Sequence, residues 1–348
     1  MILEPNDRIL VTGYGGFIGR RVVACLIERG FRNVVGLMRP STSVSPANSS
    51  TKSRNISCLN VLHGNLLSRD DCLRITKDAR LVYHLAAGRG EKSFPDAFLN
   101  SVVTTRNLLD ACLYNKSIKR FVNVSSFAVY DNRNMIHKQR LEETCPVEPQ
   151  PARRGQAYCY AKVRQDQLVL EYSRNSSMPC VIVRPGWVYG PGNEAIHSRV
   201  GISTFGLFLH MGGGNILPLS YVDNCAEAIV LAGLVNGIEG EVFNVVDNDL
   251  PTSRQFLRAY KRFVRRFPSV YLPHSLSYLF CWLWEKYSAW SEGQLPPVYG
   301  LGTWHANWKK TSYSNDKIKN RLGWTQRVPT NEGLNRYFAA CREKLNHA

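Results

Sequence analysis

Short apolar runs alternate with stretches of helical periodicity through the first half of the chain. Arg8 to Thr12 sets Ile9, Leu10 and Val11 in a row and stops at glycine, the pattern of a strand buried on both faces. Phe17 to Arg29 then places Ile18, Val22, Val23, Leu26 and Ile27 at helical spacing. Further strands are predicted at Asn33 to Met38, Leu59 to His63, Leu81 to Leu85, Phe121 to Val124 and Cys180 to Val183, with helices over 97–114 and 157–173. Such alternation predicts an α/β protein built on a doubly wound parallel sheet. Beyond Pro185 the pattern loosens. Glycines cluster at 212–214, short strands are predicted at 221–222 and 241–245, and helices at 224–236 and 252–266. We therefore expect a sheet domain over 1–185, joined by strands 221–222 and 241–245. Residues 186–348 should form mainly a smaller substrate-binding lobe. The stretch Ser41 to Ser53 has almost no side chain worth burying and predicts a mobile surface loop.

The totals add two constraints. Among 348 residues, 44 Lys and Arg face 27 Asp and Glu, a formal charge of +17. Such a field attracts anions: dinucleotide phosphates, an anionic substrate, an anionic membrane surface, or nucleic acid without specificity. A solvated basic surface with no partner explains it equally well. The ten cysteines have no CxxC pair and no metal-ligand spacing, so no metal site is expected and they read as reduced, mostly buried thiols. No signal-peptide pattern opens the chain, and the expected location is cytoplasmic. The strongest apolar run, Leu276 to Trp284, is far short of the ~20 residues a membrane-crossing helix needs.

The glycines after the first strand carry the clearest chemistry. Gly13, Gly16 and Gly19, with Gly15 between, stand between a strand and a helix, the setting in which a glycine motif is informative. Gly13 permits a tight turn. Gly16, with Phe17 and Ile18 opening the helix, lets a pyrophosphate approach backbone amides, and Gly19 permits close packing of helix on strand. The second strand ends in Arg39, where an acidic residue would bind the ribose hydroxyls of NAD, so the reading leans to NADP over NAD. Asn65 and Leu66 follow the third strand and are expected near adenine. Leu85, Ala86 and Ala87 close the fourth strand with side chains that let a cofactor pass.

A second constellation follows the fifth strand. Tyr158 and Lys162, four apart, share one helix face, and an ammonium beside a phenol favours phenolate. Such a phenol can exchange a proton with a substrate oxygen while hydride moves at the adjacent carbon. The hydroxyl of Ser126 can hold the same oxygen. Tyr130 and Tyr160 compete, but only Tyr158 has lysine at the fourth following position.

Taken together, TGYGGFIG at 12–19, VYHLAA at 82–87, VSSFAVY at 124–130, YCYAK at 158–162, RPGWVYGPG at 184–192 and YVDNCAEA at 221–228 resemble the extended short-chain dehydrogenase/reductases of the NAD-dependent epimerase/dehydratase family. The resemblance covers nearly the whole chain. It implies a Rossmann-type sheet domain, Ser126 as catalytic serine, Tyr158 as acid/base, Lys162 as its activator, Pro185 beside the nicotinamide, and a homodimer. The stretch Ile216 to Ser220 lacks the arginine that nucleotide-sugar members usually carry there, with Arg153, Arg154 or Arg199 as substitutes. The sequence from Phe243 and the aromatic tail instead resemble the 3β-hydroxysteroid dehydrogenase-like branch. The expected function is hydride transfer at a secondary alcohol or ketone of a small molecule, either a hydrophobic substrate or, alternatively, a nucleotide sugar in an epimerase or dehydratase. A non-catalytic dinucleotide-binding protein is the reading from another class, opposed by the intact Ser126, Tyr158 and Lys162.

One stretch stands outside this scheme. Arg258, Lys261, Arg262, Arg265 and Arg266 precede Tyr278, Phe280, Trp282 and Trp284. Packing on the sheet domain is the first expectation for it, a lid over the active site the second, and peripheral membrane contact the third. Specific nucleic-acid binding ranks last, since no recognition motif accompanies the charge.

Overall fold

A computed structural model describes residues 1–39, 58–88, 93–135, 139–204, 206–291, 294 and 299–346. The surface loop predicted at 41–53 lies outside them. The chain begins with β1 (Arg8–Thr12), α1 (Phe17–Glu28), β2 (Val34–Met38), β3 (Leu59–His63), α2 (Arg69–Thr76) and β4 (Ala79–His84). It continues through α3 (Phe94–Ala97), α4 (Thr104–Asn115), β5 (Arg120–Val124), β6 (Arg140–Leu141), α5 (Ala157–Asn175) and β7 (Cys180–Pro185). Then come β8 (Trp187–Tyr189), β9 (Gly201–Thr204), β10 (Leu207–His210), β11 (Leu219–Tyr221), α6 (Val222–Leu234) and β12 (Val242–Val245). The last part holds α7 (Ser253–Phe263), β13 (Ser269–Tyr271), α8 (His274–Trp290), α9 (Leu301–Asn307), β14 (Ser312–Tyr313), α10 (Asp316–Leu322) and α11 (Thr330–Asn346).

Seven strands form one sheet in the order β12-β7-β5-β4-β1-β2-β3. The pairings of β1 with β2 and β4, of β2 with β3, of β4 with β5 and of β5 with β7 are all parallel. The doubly wound Rossmann-type sheet read from the sequence is therefore present. β1, β4, β5 and β7 are buried along almost their whole length, which is why they read as unbroken apolar runs. Strand order reverses at β1, with β2 on one side and β4 on the other. Ligands of such sheets bind at the carboxyl ends beside that reversal.

One strand assignment needs correcting. β12 does join the sheet edge, but β11 pairs with β8 in a separate two-stranded sheet, Leu219 opposite Trp187 and Tyr221 opposite Tyr189. Gly186 makes this approach feasible: a Cβ there would lie 2.2 Å from the Pro218 carbonyl oxygen.

The chain divides into two units and passes between them several times. The first contains 1–125, 164–183 and 226–242; its core draws Leu10, Val35, Val82 and Phe121 from strands and Ile75, Leu108 and Val169 from helices. The fully buried Arg120 donates from Nη1 to the carbonyls of Ala232 and Val235, both at 3.1 Å, satisfying acceptors at the end of α6. The second contains 126–163, 184–225 and 243–348. Phe127, Tyr130, Leu141, Cys159, Val163 and Val246 form one of its cores. Trp187 anchors another, 5.2 Å from the rings of both His197 and Phe256. Among the described residues no helix is long and apolar enough to cross a membrane.

Candidate active site

In the first unit the glycines divide into two kinds. Gly13 has φ +70°, and a Cβ on it would lie 2.8 Å from the Ala86 amide nitrogen and 3.0 Å from the Leu85 carbonyl carbon. At Gly19 a Cβ would lie 2.2 Å from the Gly13 carbonyl oxygen. These two are demanded by the protein's own packing. Gly15, by contrast, faces open space, and Gly16 meets only the Gly13 oxygen at 3.2 Å. Both line a cavity of about 440 Å³ at the ends of β1, β2 and β4, together with Leu66, Ala86 and Ala87.

α1 opens onto that cavity from Gly16, with no side-chain cap and no acidic residue in its first turn. Its orphan amides and the positive end of its dipole are left for an anion. A glycine-walled cavity with uncapped amides fits a dinucleotide pyrophosphate.

Buried polar groups hold the rim. Thr12 Oγ1 lies 2.8 Å from His84 Nδ1 and accepts from the Ala86 amide at 3.2 Å. His84 Nε2 lies 2.9 Å from Thr105 Oγ1, which also accepts from Gln165 Nε2 at 2.7 Å. Ser101 Oγ accepts from the Gly88 amide at 3.0 Å, fixing another residue of the cavity wall. Ser101 belongs to a π-helical stretch, Phe98–Val103, ahead of α4.

The remaining residues assigned to the cofactor fall unevenly. Arg39 is exposed and on the cavity wall. Asn65 falls between the wall residues Gly64 and Leu66. Its Oδ1 accepts from the Leu67 amide at 3.0 Å, and its own amide donates to Asp71 Oδ2 at 2.8 Å, so Asn65 organises the entry to α2. Leu85 backs Gly13, and Phe17 and Ile18 are half-buried in the first turn of α1. Sequence reasoning missed Tyr14 and Gly36. Tyr14 lies on the wall, and its ring packs so closely over Gly36 that a Cβ there would lie 2.6 Å from Tyr14 Cδ1. A glycine inside the strand pattern of 33–38 was the available signal.

The second unit holds the catalytic candidates. Ser126 is half-buried and caps the turn Phe127–Val129, its Oγ accepting from the Ala128 amide at 3.2 Å. Tyr158 and Lys162 lie one turn apart near the start of α5. The phenol is 45% exposed, whereas the lysine is buried at 4%.

A local network fastens the Ser126 turn to the first turn of α5. Cys159 Sγ donates to the Ala128 carbonyl at 3.0 Å, and Arg154 Nη1 donates to the same oxygen at 2.7 Å. Arg154 Nη1 also lies 3.2 Å from Cys159 Sγ. Burial pushes the Cys159 thiol up, so it stays a neutral donor. Arg154, a candidate phosphate-binding cation in the sequence, is thus buried and engaged. Arg199 donates to the Tyr313 hydroxyl at 3.2 Å, while Arg153 stays exposed.

The competing phenols separate by environment. Tyr130 is fully buried, donates to Asn244 Oδ1 at 2.7 Å and lies under the Arg184 guanidinium, 4.9 Å from the ring centroid. Burial pushes its pKa up to about 12, which makes it a structural phenol. Tyr160 is half-buried. Pro185 is buried at the end of β7.

The chain belongs to the NAD dependent epimerase/dehydratase family, whose model matches residues 9–245. A trifunctional UDP-glucose 4,6-dehydratase/UDP-4-keto-6-deoxy-D-glucose 3,5-epimerase/UDP-4-keto-L-rhamnose-reductase of Arabidopsis thaliana is 27% identical over 251 residues, 68% of this chain and 36% of that protein. The chain thus spans little more than a third of that relative's length. A decarboxylating sterol-4-alpha-carboxylate 3-dehydrogenase of Dictyostelium discoideum is 24% identical over 94% of this chain and 98% of its own. The crystal structure of a Bacillus cereus UDP-glucuronic acid 4-epimerase with UDP-glucuronic acid and NAD superposes with a TM-score of 0.71 at 21% identity, covering 97% of this chain and 99% of that one. These relatives are enzymes of a nicotinamide-dependent family.

Proposed function

We propose that this protein is an NAD(P)-dependent oxidoreductase or epimerase acting at a secondary alcohol or ketone, with Tyr158 as acid/base. The observation that carries the reading is the pairing of an exposed Tyr158 with a buried Lys162 on one face of α5, beside a Ser126 turn fastened to the same helix. The glycine cradle of the first unit supports the dinucleotide.

When bound, the cofactor supplies or accepts hydride at its nicotinamide. The chain's own residues handle the proton. Tyr158 Oη takes the hydroxyl proton of an alcohol, or returns it to a carbonyl oxygen. Lys162, an ammonium one turn away, stabilises the phenolate by Coulomb attraction. Ser126 Oγ donates to the substrate oxygen and holds it in line with Oη. Arg39 on the cavity wall supports a preference for NADP through pairing with a 2′-phosphate.

For the substrate, a hydrophobic alcohol or ketone is the leading reading. Leu217, Leu219 and Ser220 are buried and offer no cation, and Arg154 is engaged elsewhere. A nucleotide sugar is the second reading, favoured by the plant and bacterial relatives. A cytoplasmic location is supported by ten free cysteines, nine of them buried. The implied homodimer is open to sedimentation. The test of function is to mix dinucleotide-loaded protein with panels of hydrophobic secondary alcohols and of UDP- and GDP-sugars, following reduced-nicotinamide fluorescence. Reduction by an alcohol supports the leading reading and reduction by a nucleotide sugar the second. A panel that yields neither reduced nicotinamide nor an altered nucleotide sugar, with dinucleotide bound, contradicts both.

A further inference from the structure

Helix α8 reverses the usual arrangement of a surface helix. The side chains it buries are Ser277, Cys281 and Ser288. Its outward arc carries Leu276, Leu279, Phe280, Trp282, Leu283 and Trp290, each between 40 and 77% exposed. At about 100° per residue these positions, with Tyr278 and Tyr287, sweep more than half the helix perimeter. Lys286 is the one exposed charge on the helix, and its Nζ sits 6.0 Å from the Trp282 ring centroid. Small side chains thus form the buried stripe, while of the aromatics Tyr278 and Trp284 meet the rings of Trp304 and Tyr299 and the others face outward.

Such a face covers too much apolar surface to be the scatter of single hydrophobics found on any protein. Charge decides the occupant. Arg262 at the end of α7, and Arg265 and Arg266 between α7 and β13, are all exposed, with exposed Phe263, Val270 and Tyr271 near them in sequence. A second copy seated on this face would bring the same exposed arginines and no added acidic partner for them. An anionic bilayer instead matches both the charge and the apolar face, and tryptophan and tyrosine suit the headgroup boundary, where one end is apolar and the other wet. Seventeen residues make a helix of about 25 Å, long enough to lie along a surface.

We propose that α8 is an interfacial helix that docks this protein on an anionic membrane surface, aromatic face down, with the arginines at 262, 265 and 266 meeting lipid headgroups. The test is flotation of the full chain with phosphatidylcholine vesicles that contain or lack phosphatidylglycerol. The wild type should float with the anionic vesicles and less with the neutral ones. Leu279→Ser/Leu283→Ser should weaken partitioning at least about tenfold, because two apolar side chains no longer enter the acyl boundary. Arg262→Gln/Arg266→Gln should weaken it about fivefold per charge. All these side chains are exposed, so melting temperatures should match the wild type; Trp290→Ser, at the most exposed aromatic, is the second variant should one fail to fold. A wild type that stays at the bottom of the gradient, or flotation indifferent to the leucine and tryptophan changes, overturns the proposal. So does a dimer that the leucine variant disperses while vesicles go unbound, which would assign the face to a second copy.

Discussion

Placing a methyl group at each glycine of the first turn separates what the fold needs from what a ligand needs. At Gly13 an alanine must adopt φ near +70° and press its Cβ to 2.8 Å from the Ala86 amide. The left-handed conformation costs about 1–2 kcal/mol and the backbone collision about 1–3 more, so Gly13→Ala should lose roughly 2–5 kcal/mol. At about 2–4 °C per kcal/mol, that is a melting temperature lower by roughly 4–20 °C. Gly19→Ala gains about 1 kcal/mol of helix propensity but drives its Cβ to 2.2 Å from the Gly13 oxygen, and should also destabilise. Gly15→Ala meets nothing within 4 Å, so its stability should stay within about 0.5 kcal/mol of the wild type. Gly15 nonetheless lines the cavity, so under the proposed function its new methyl group narrows the space for the pyrophosphate. Dinucleotide affinity should fall about tenfold or more, equivalent to ~1.4 kcal/mol. Thermal melts by circular dichroism and titration calorimetry with NAD and NADP read the two effects separately. A Gly15→Ala protein that binds dinucleotide like the wild type would refute the cradle; one that melts like Gly13→Ala would refute the packing argument.

Arg39→Asp should move the ratio of NADP to NAD dissociation constants at least about tenfold toward NAD, since a 2′-phosphate loses its cation and ribose hydroxyls gain an acceptor; a wild type that already prefers NAD contradicts the lean. Asp247 is buried, which pushes its pKa from 3.8 up to about 6 against the opposing hydrogen bonds from Asn224, the Tyr221 amide and Tyr189. A raised carboxyl contributes stability below about pH 4 and loses it as pH climbs through about 6, a span of ~3 kcal/mol. Asp247→Asn should remove that slope from the difference in melting temperature, and an unchanged slope would assign it elsewhere. Tyr130→Phe leaves Asn244 Oδ1 without its donor and should cost about 1–2 kcal/mol of stability with turnover preserved, whereas a large fall in turnover would make Tyr130 the catalytic phenol.

Much of this was legible because burial and periodicity agreed. Ile9 to Val11 and Val181 to Val183 have no polar residue to mislead, and both are core strands. Gly13 and Gly19 could be read in advance because each answers a backbone requirement that a side chain would violate. The failures have equally local causes. Three-residue strands such as β11 carry no periodicity that names their partner, so its pairing with β8 was invisible. Arg154 looked like a free cation until its bond to the Ala128 carbonyl was seen. In helix α8 apolar residues run nearly all round, so periodicity names no inner side, and the burial of Ser277, Cys281 and Ser288 reveals which side faces in.

In the proposed reaction everything turns on the proton carried by Tyr158. The direct measurement is single-turnover nicotinamide fluorescence with the first substrate found, comparing wild type with Tyr158→Phe, and with dinucleotide affinity measured alongside. The phenol is 45% exposed, so its removal leaves the core and the glycine cradle untouched. The predicted result is a hydride-transfer rate lower by about 10²-fold or more at nearly unchanged dinucleotide affinity. A Tyr158→Phe protein that turns over at the wild-type rate would contradict the account.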